Sequence, residues 1–414
     1  MATALFALPA SGETWETRPV KVPGGTIKQI RMSETDARTF VRADGRWLEI
    51  TACPDHRFCF TPRRPQARRK APGNGLPDGV VASRPASKGP VSAWYAQPSQ
   101  AYRHGILGDA VEAELLLVRT ADGKQLQTSA DEGHVFEDLT PRLADLDGDG
   151  QNEVIAIRTD FRRGAMIAVY GVAAGKLRLL AATRAIGRPN RWRNPALVLP
   201  DPSGKGMLIA EVVTPHIGGT LRLWSLRGSA EAGYRLEARG SARGFSNHAI
   251  GSRQLNLMAH GGGGLIGVPS GDRTALRIMQ AGRSVLSERA SVSLPGRIEH
   301  AIGVLHEKTG PVFLVGLDDG SLHAVSRPNP DFYCVTNSSD ERLLLVAETA
   351  SGERRRLQAD PHRDWCIPRR ELKIVWAFAD ENAVEGCSHP VGRGETVLVL
   401  EDFSEFDNCR WTGR

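Results

Sequence analysis

Apolar residues along this chain come in short runs broken by Gly, Pro, Asn and Asp, and long stretches of helical periodicity are scarce. That pattern predicts β-strands. Residues 21–62 alternate apolar and polar through "TIKQIRM", "TFVRADGRWLEIT" and "RFCFTP", with "ADGR" as a turn. Four later segments repeat one plan of apolar strand, polar turn and second strand: "EVIAIRTDFRRGAMIAVYGV" from 153, "MLIAEVVTPHIGGTLRLWSL" from 207, "GLIGVPSGDRTALRIMQ" from 264 and "PVFLVGLDDGSLHAVS" from 311. Their aligned residues Tyr170, Trp224, Met279 and Val325 are 54, 55 and 46 apart. A weaker unit, "GDAVEAELLLVRTADGKQLQ" at 108–127, precedes them. A period near ~50 residues with about four strands is the size of a propeller blade.

The predicted fold is therefore all-β: a five-bladed β-propeller over 78–328, with six or seven blades, or two packed sandwiches, as alternatives. The last unit lacks a fourth strand, which "DGVVAS" (78–83) or "VSAWYA" (91–96) is expected to supply, closing the ring. After "SRPNP" the repeat stops, and 331–414 reads as a separate β-sandwich. Residues 1–20 read as a leader remnant, 21–62 as a small N-terminal β segment and 63–77 as a basic Pro/Gly linker.

Composition adds the compartment. The cysteines are even in number: Cys53, Cys59, Cys334, Cys366, Cys387 and Cys409, with no CxxC pair. They suggest disulfides, Cys53–Cys59 locally and then Cys334–Cys366 and Cys387–Cys409, although spacing does not fix the connectivity. Six reduced, buried thiols are the alternative. Disulfides and the leader-like "ALFALPASG" point to a periplasmic or secreted protein. No apolar run is long enough to span a membrane. The net charge of +6 is concentrated in "RRPQARRK" (63–70) and "ERRR" (353–356). These read as solvated segments, or as contacts for an anionic surface. No aromatic residues are interleaved with them, so nucleic acid is not an expected partner.

Candidate chemistry centres on "LADLDGDGQNEVIAIRT", residues 143–159. Asp145, Asp147 and Asp149 hold positions 1, 3 and 5 of a calcium loop and Gly150 the sharp turn. Gln151 would offer its backbone carbonyl and Glu153 a carboxylate. Calcium is a hard cation taking six to eight oxygens. Position 12 is Ala156 and a strand follows, so this is not an EF-hand. With the repeat period, "LADLDGDGQNEVIAI" resembles the FG-GAP or VCBS repeat β-propellers, related to the head of integrin α subunits. The resemblance implies one structural Ca2+ at Asp145, Asp147, Asp149, Gln151 and Glu153, and metal-free turns at 199–206 and 258–267.

A second constellation comes from register. "HGIL" at 104 and "HAIG" at 248 and 300 each stand just before the innermost strand of a unit in this alignment. His104, His248 and His300 would then share one rim, with Arg253 and Arg297 nearby. They would cap neighbouring backbone, bind a transition metal or hold an anion. No nucleophile elbow accompanies "GFSNHAIGSR". The leading expectation is an exported calcium-binding propeller acting as a binding or scaffold module for a protein or carbohydrate. The alternative is a propeller hydrolase or lyase acting on a carbohydrate or phosphate ester at the histidine rim. An adhesin using the basic linker is a third. An acid, base or metal at the rim separates the enzyme from the scaffold.

Overall fold

The computed structural model describes residues 14–413 apart from 34–36, 54–57, 330, 362, 369–371, 393, 394, 396 and 405–407. The cleavage-site reading at 4–12 lies outside the described residues. Among those described, every regular element is a β-strand, and no helix is long and apolar enough to cross a membrane. The fold is all-β and of the propeller class, built from antiparallel meanders of four strands. The chain divides into two compact units, one of residues 1–31, 38–64 and 303–414, the other of 32–37 and 65–302.

The second unit holds four meanders. The first contains Ala82–Ser83, Pro90–Ser99, Glu112–Thr120 and Gln125–Ser129, and the next Arg142–Ala144, Glu153–Asp160, Gly164–Ala173 and Lys176–Ala182. Then come Arg193–Pro200, Met207–Val213, Gly219–Ser229 and Gly233–Phe245, followed by Ala259–Gly262, Leu265–Pro269, Ala275–Ala281 and Leu286–Ser293. A short strand, His134–Phe136, bonds to both of the first two meanders. Alternate side chains of a strand leave on opposite faces, so each middle strand serves two cores. Val154 and Ala156 join Tyr95, Leu116 and Phe136. Their neighbour Ile155 joins Ile209 and Leu226 of the 193–245 meander. Leu221 and Leu223 in turn pack with Ile266 and Met279 of the 259–293 meander.

In the first unit, Ile27–Met32, Thr39–Ala43, Arg46–Ala52 and Phe58–Pro62 form a meander of the same plan, expected above only as an N-terminal β segment. Thr39 Oγ1 donates to the carbonyl of Val304 at 2.9 Å, joining it to the sheet of Gly303–Glu307, Gly310–Gly316 and Leu322–Ser326. The fourth strand of that sheet is Glu16–Val20, which pairs with Leu322–Ser326. This corrects the expected closing strand. The segments offered for that role, 78–83 and 91–96, instead supply the strands Ala82–Ser83 and Pro90–Ser99, which pair with each other in the second unit. It also takes 16–20 out of the leader remnant. "ETRPV" has only one large apolar residue in five, so its edge-strand character left no hydrophobic run to read.

Residues 332–413 form two further four-stranded sheets that enclose a core including Tyr333, Leu345, Val375 and Leu398. In one sheet Phe332–Asn337 runs parallel to Val397–Asp402. The disulfides join Cys53 to Cys59, Cys334 to Cys366 and Cys387 to Cys409, and no described cysteine is free. Cys334 and Cys366 face each other on paired strands, and Cys387–Cys409 ties the two sheets together.

Candidate functional site

Antiparallel alternation sorts the loops of each meander. The turn between second and third strands, and the connection to the next meander, lie at one end. The turns between first and second and between third and fourth strands lie at the other. In the second unit, Tyr102, His104, His216 and Arg273 stand on second-to-third turns. Glu137, Trp192 and His248 stand on connections between meanders. Topology therefore gathers them at one end, and contacts tie them together.

His104 Nδ1 lies 2.5 Å from Oε1 of Glu137, which is fully buried. The other carboxylate oxygen accepts from Thr159 Oγ1 at 2.6 Å. The Glu137 carbonyl accepts from Trp192 Nε1 at 3.0 Å. Burial pushes the Glu137 carboxyl up, and His104 and Thr159 oppose that. A carboxylate acceptor on Nδ1 puts the proton there and leaves Nε2 with the lone pair. The edge of Tyr102 meets the His104 ring at 5.9 Å between centroids.

A second pair adjoins. His248 Nε2 sits 2.8 Å from the Ser252 carbonyl, so it carries the proton and Nδ1 accepts. His216 Nε2, 3.0 Å from that Nδ1, must then donate, which leaves a lone pair on His216 Nδ1. Trp192 stacks on His216 and packs 4.7 Å from the His248 ring. Burial drops both imidazoles to about 4, and the positive charge of Arg273 adds to the effect on each. Glu112, buried at the start of its strand, is pushed up to about 9 by burial and then by Glu137, Asp109 and Asp138. It is a protonated acid at neutral pH.

Sequence reasoning named His104 and His248 and missed His216, Glu137, Glu112 and Trp192. The tetrads are also not equivalent in register: His104 precedes Glu112–Thr120, the third strand of its meander, whereas His248 precedes a first strand. The weak 108–127 repeat had matched third and fourth strands to second and third. His300 follows Leu286–Ser293, beside Glu299, whose carboxylate takes Arg273 Nη1 at 2.9 Å. Arg297 lies in the same connection. Arg253 is already engaged by Asp78 and Asp109.

The acidic loop lies between a first and a second strand, at the opposite end of its meander. Ligand oxygens of Asp145, Asp147 and Asp149 lie within 4.8 Å of one another. Asp145 Oδ1 accepts from the Gly148 and Asp149 amides at 2.7 and 3.0 Å, and Oδ2 from Gly150 at 3.0 Å. Glu153 turns its carboxylate to the Leu146 amide at 2.7 Å, and the Gln151 side chain donates to Asp149 at 2.9 Å. Burial, then the neighbouring aspartates, raise Glu153 to about 8. The three aspartates are hard oxygen donors on a tight turn, and that fits calcium.

No family model matches the chain, and no curated protein does. Among solved structures it is similar to a protein named as a gluconolactonase, at 12% identity and TM-score 0.34, over 77% of this chain and 93% of that one. It is similar to virginiamycin B lyase from Staphylococcus aureus, at 11% identity and TM-score 0.34, over 76% and 99%. An exotype rhamnogalacturonan lyase aligns at 14% identity and TM-score 0.37, over 85% and 62%. Likeness of this order leaves the chemistry of this chain to its own residues.

Proposed function

We propose that the chain is an exported enzyme of the hydrolase or lyase type, acting on a carbohydrate or a phosphate ester, with His104 as general base. The carrying observation is the 2.5 Å contact between His104 Nδ1 and the buried Glu137 carboxylate. Such a carboxylate fixes the tautomer and stabilises the imidazolium that forms when Nε2 takes a proton. Thr159 and Trp192 hold Glu137 in place, so Glu137 is a positioning residue. Glu112, kept protonated by burial, supplies the acid for a leaving oxygen. A scaffold needs neither group, and for that reason the enzyme reading outranks the binding-module reading.

Export is supported by the three disulfides. A single structural calcium at Asp145, Asp147 and Asp149 completes the proposal, in the manner of FG-GAP or VCBS loops. It lies at the far end of its meander from His104 and takes no part in the chemistry.

The test is a panel of chromogenic glycosides, uronate oligosaccharides and phosphate monoesters and diesters. On any substrate turned over, His104→Ala should lower kcat about 10²–10⁴-fold. Glu137→Gln should lower kcat and shift the acidic limb of the pH profile to lower pH, with little change in KM. Full activity in His104→Ala would refute the assignment.

A further inference from the structure

We infer that the cleft between the 142–182 and 193–245 meanders is a binding site for a small organic anion, one bearing a carboxylate or phosphate on a body with an apolar face. The cleft has a volume of about 490 Å³ and is lined by Arg184, Arg193, Arg222, Trp224 and Leu236, among others. That size is ordinary for a small-molecule site, about 300–1,000 Å³.

Charge decides the class of ligand. Arg193 is 2% exposed, and its Nη1 reaches Thr183 Oγ1 at 2.8 Å and Glu211 Oε1 at 3.3 Å. Glu211 is completely buried and also accepts from Trp224 Nε1 at 2.6 Å. Three guanidiniums thus surround the cleft, and one carboxylate answers them. Among the described residues no carboxylate lies within ion-pair distance of Arg184 or Arg222. The buried Nε of Arg193 has no hydrogen-bond partner, and neither has Oε2 of Glu211 beside it. An unsatisfied donor on a buried cation is costly, and Arg222 adds a like charge beside it. An anion in the cleft answers both. The indole of Trp224 and the side chain of Leu236 supply the apolar wall.

A purely structural Arg193–Glu211 pair would not require two more unpaired arginines on the same cleft. The inference is independent of His104, since binding is measured at equilibrium without turnover. Calorimetric titration of the full chain at fixed ionic strength, with sodium phosphate, sodium glucuronate and glucose as probes, tests it. At least one of the two anions should saturate a single site, and glucose should not bind. Arg184→Gln and Arg222→Gln should each weaken that binding about tenfold, the scale of a lost charge-assisted hydrogen bond. Arg184 is exposed, so its variant tests the site without threatening the core. Failure of both anions to saturate, equal binding of glucose, or wild-type affinity in both variants would overturn the inference.

Discussion

His216 and His248 share one hydrogen bond, and only one proton arrangement suits it. The Ser252 carbonyl accepts from His248, which makes His248 Nδ1 the acceptor for His216. Protonating either ring breaks this order and places charge beside His104 and Arg273. Both native pKa values lie near 4, below the ordinary 6.5. A depressed pKa gives stability that is present above the unfolded value and lost as pH falls through the folded one. The pair should therefore lose stability between about pH 6.5 and pH 4. The loss should be about 3 kcal/mol, discounted because the rings are coupled and His216 is partly exposed. NMR titration should show both rings neutral at pH 5.5, and His216→Asn should flatten the acid slope of unfolding relative to the wild type. A ring titrating near 6.5 would refute the proton order. Half of this site was legible. His104 and His248 sit in repeated tetrads, while His216 in "TPHIGG" and Glu137 in "VFEDLT" match no repeat. Nothing in one sequence marks a residue whose role comes from a neighbouring meander.

At the scale of elements, legibility followed burial. Glu153–Asp160 is buried at seven of eight positions and reads as an apolar run. Outer strands such as Gln125–Ser129 alternate between half-buried and exposed, and first strands such as Arg142–Ala144 have three residues. Second and third strands were therefore recognised, fourth strands blurred, and the 108–127 unit slipped by one strand. Turns also carry packing information. Gly206 has φ +83°, and a Cβ there would lie 2.2 Å from the Leu146 carbonyl oxygen of the acidic loop. Gly175 has φ +71° with nothing within 4 Å. Gly175→Ala should cost about 1–2 kcal/mol, the left-handed penalty alone. Gly206→Ala should cost about 2–4 kcal/mol, because the Leu146 backbone must also move. Urea unfolding of both variants measures the difference, and equal losses would show that the Leu146 contact does not matter.

For the whole molecule, the covalent cross-links and the acidic loop belong to different units. All three disulfides lie in the unit of residues 1–31, 38–64 and 303–414, and Asp145, Asp147 and Asp149 lie in the other. Two reagents should then act on two sets of amides. The separations of 32 and 22 residues in Cys334–Cys366 and Cys387–Cys409 correspond in the chain-entropy account to about 3–4 kcal/mol each. Reduction should accordingly raise hydrogen exchange in the 332–413 sheets and leave the 142–182 meander protected. Calcium bound only by the folded state stabilises it by mass action. Chelation should therefore raise exchange around 143–157 and in the adjoining turn at Gly206, leaving the 332–413 sheets unchanged. Asp147→Ala should remove the response to chelator and keep the response to reductant. Exchange that is indifferent to chelator in the wild type would reject the calcium site. A reductant that loosened both units equally would show that they unfold as one.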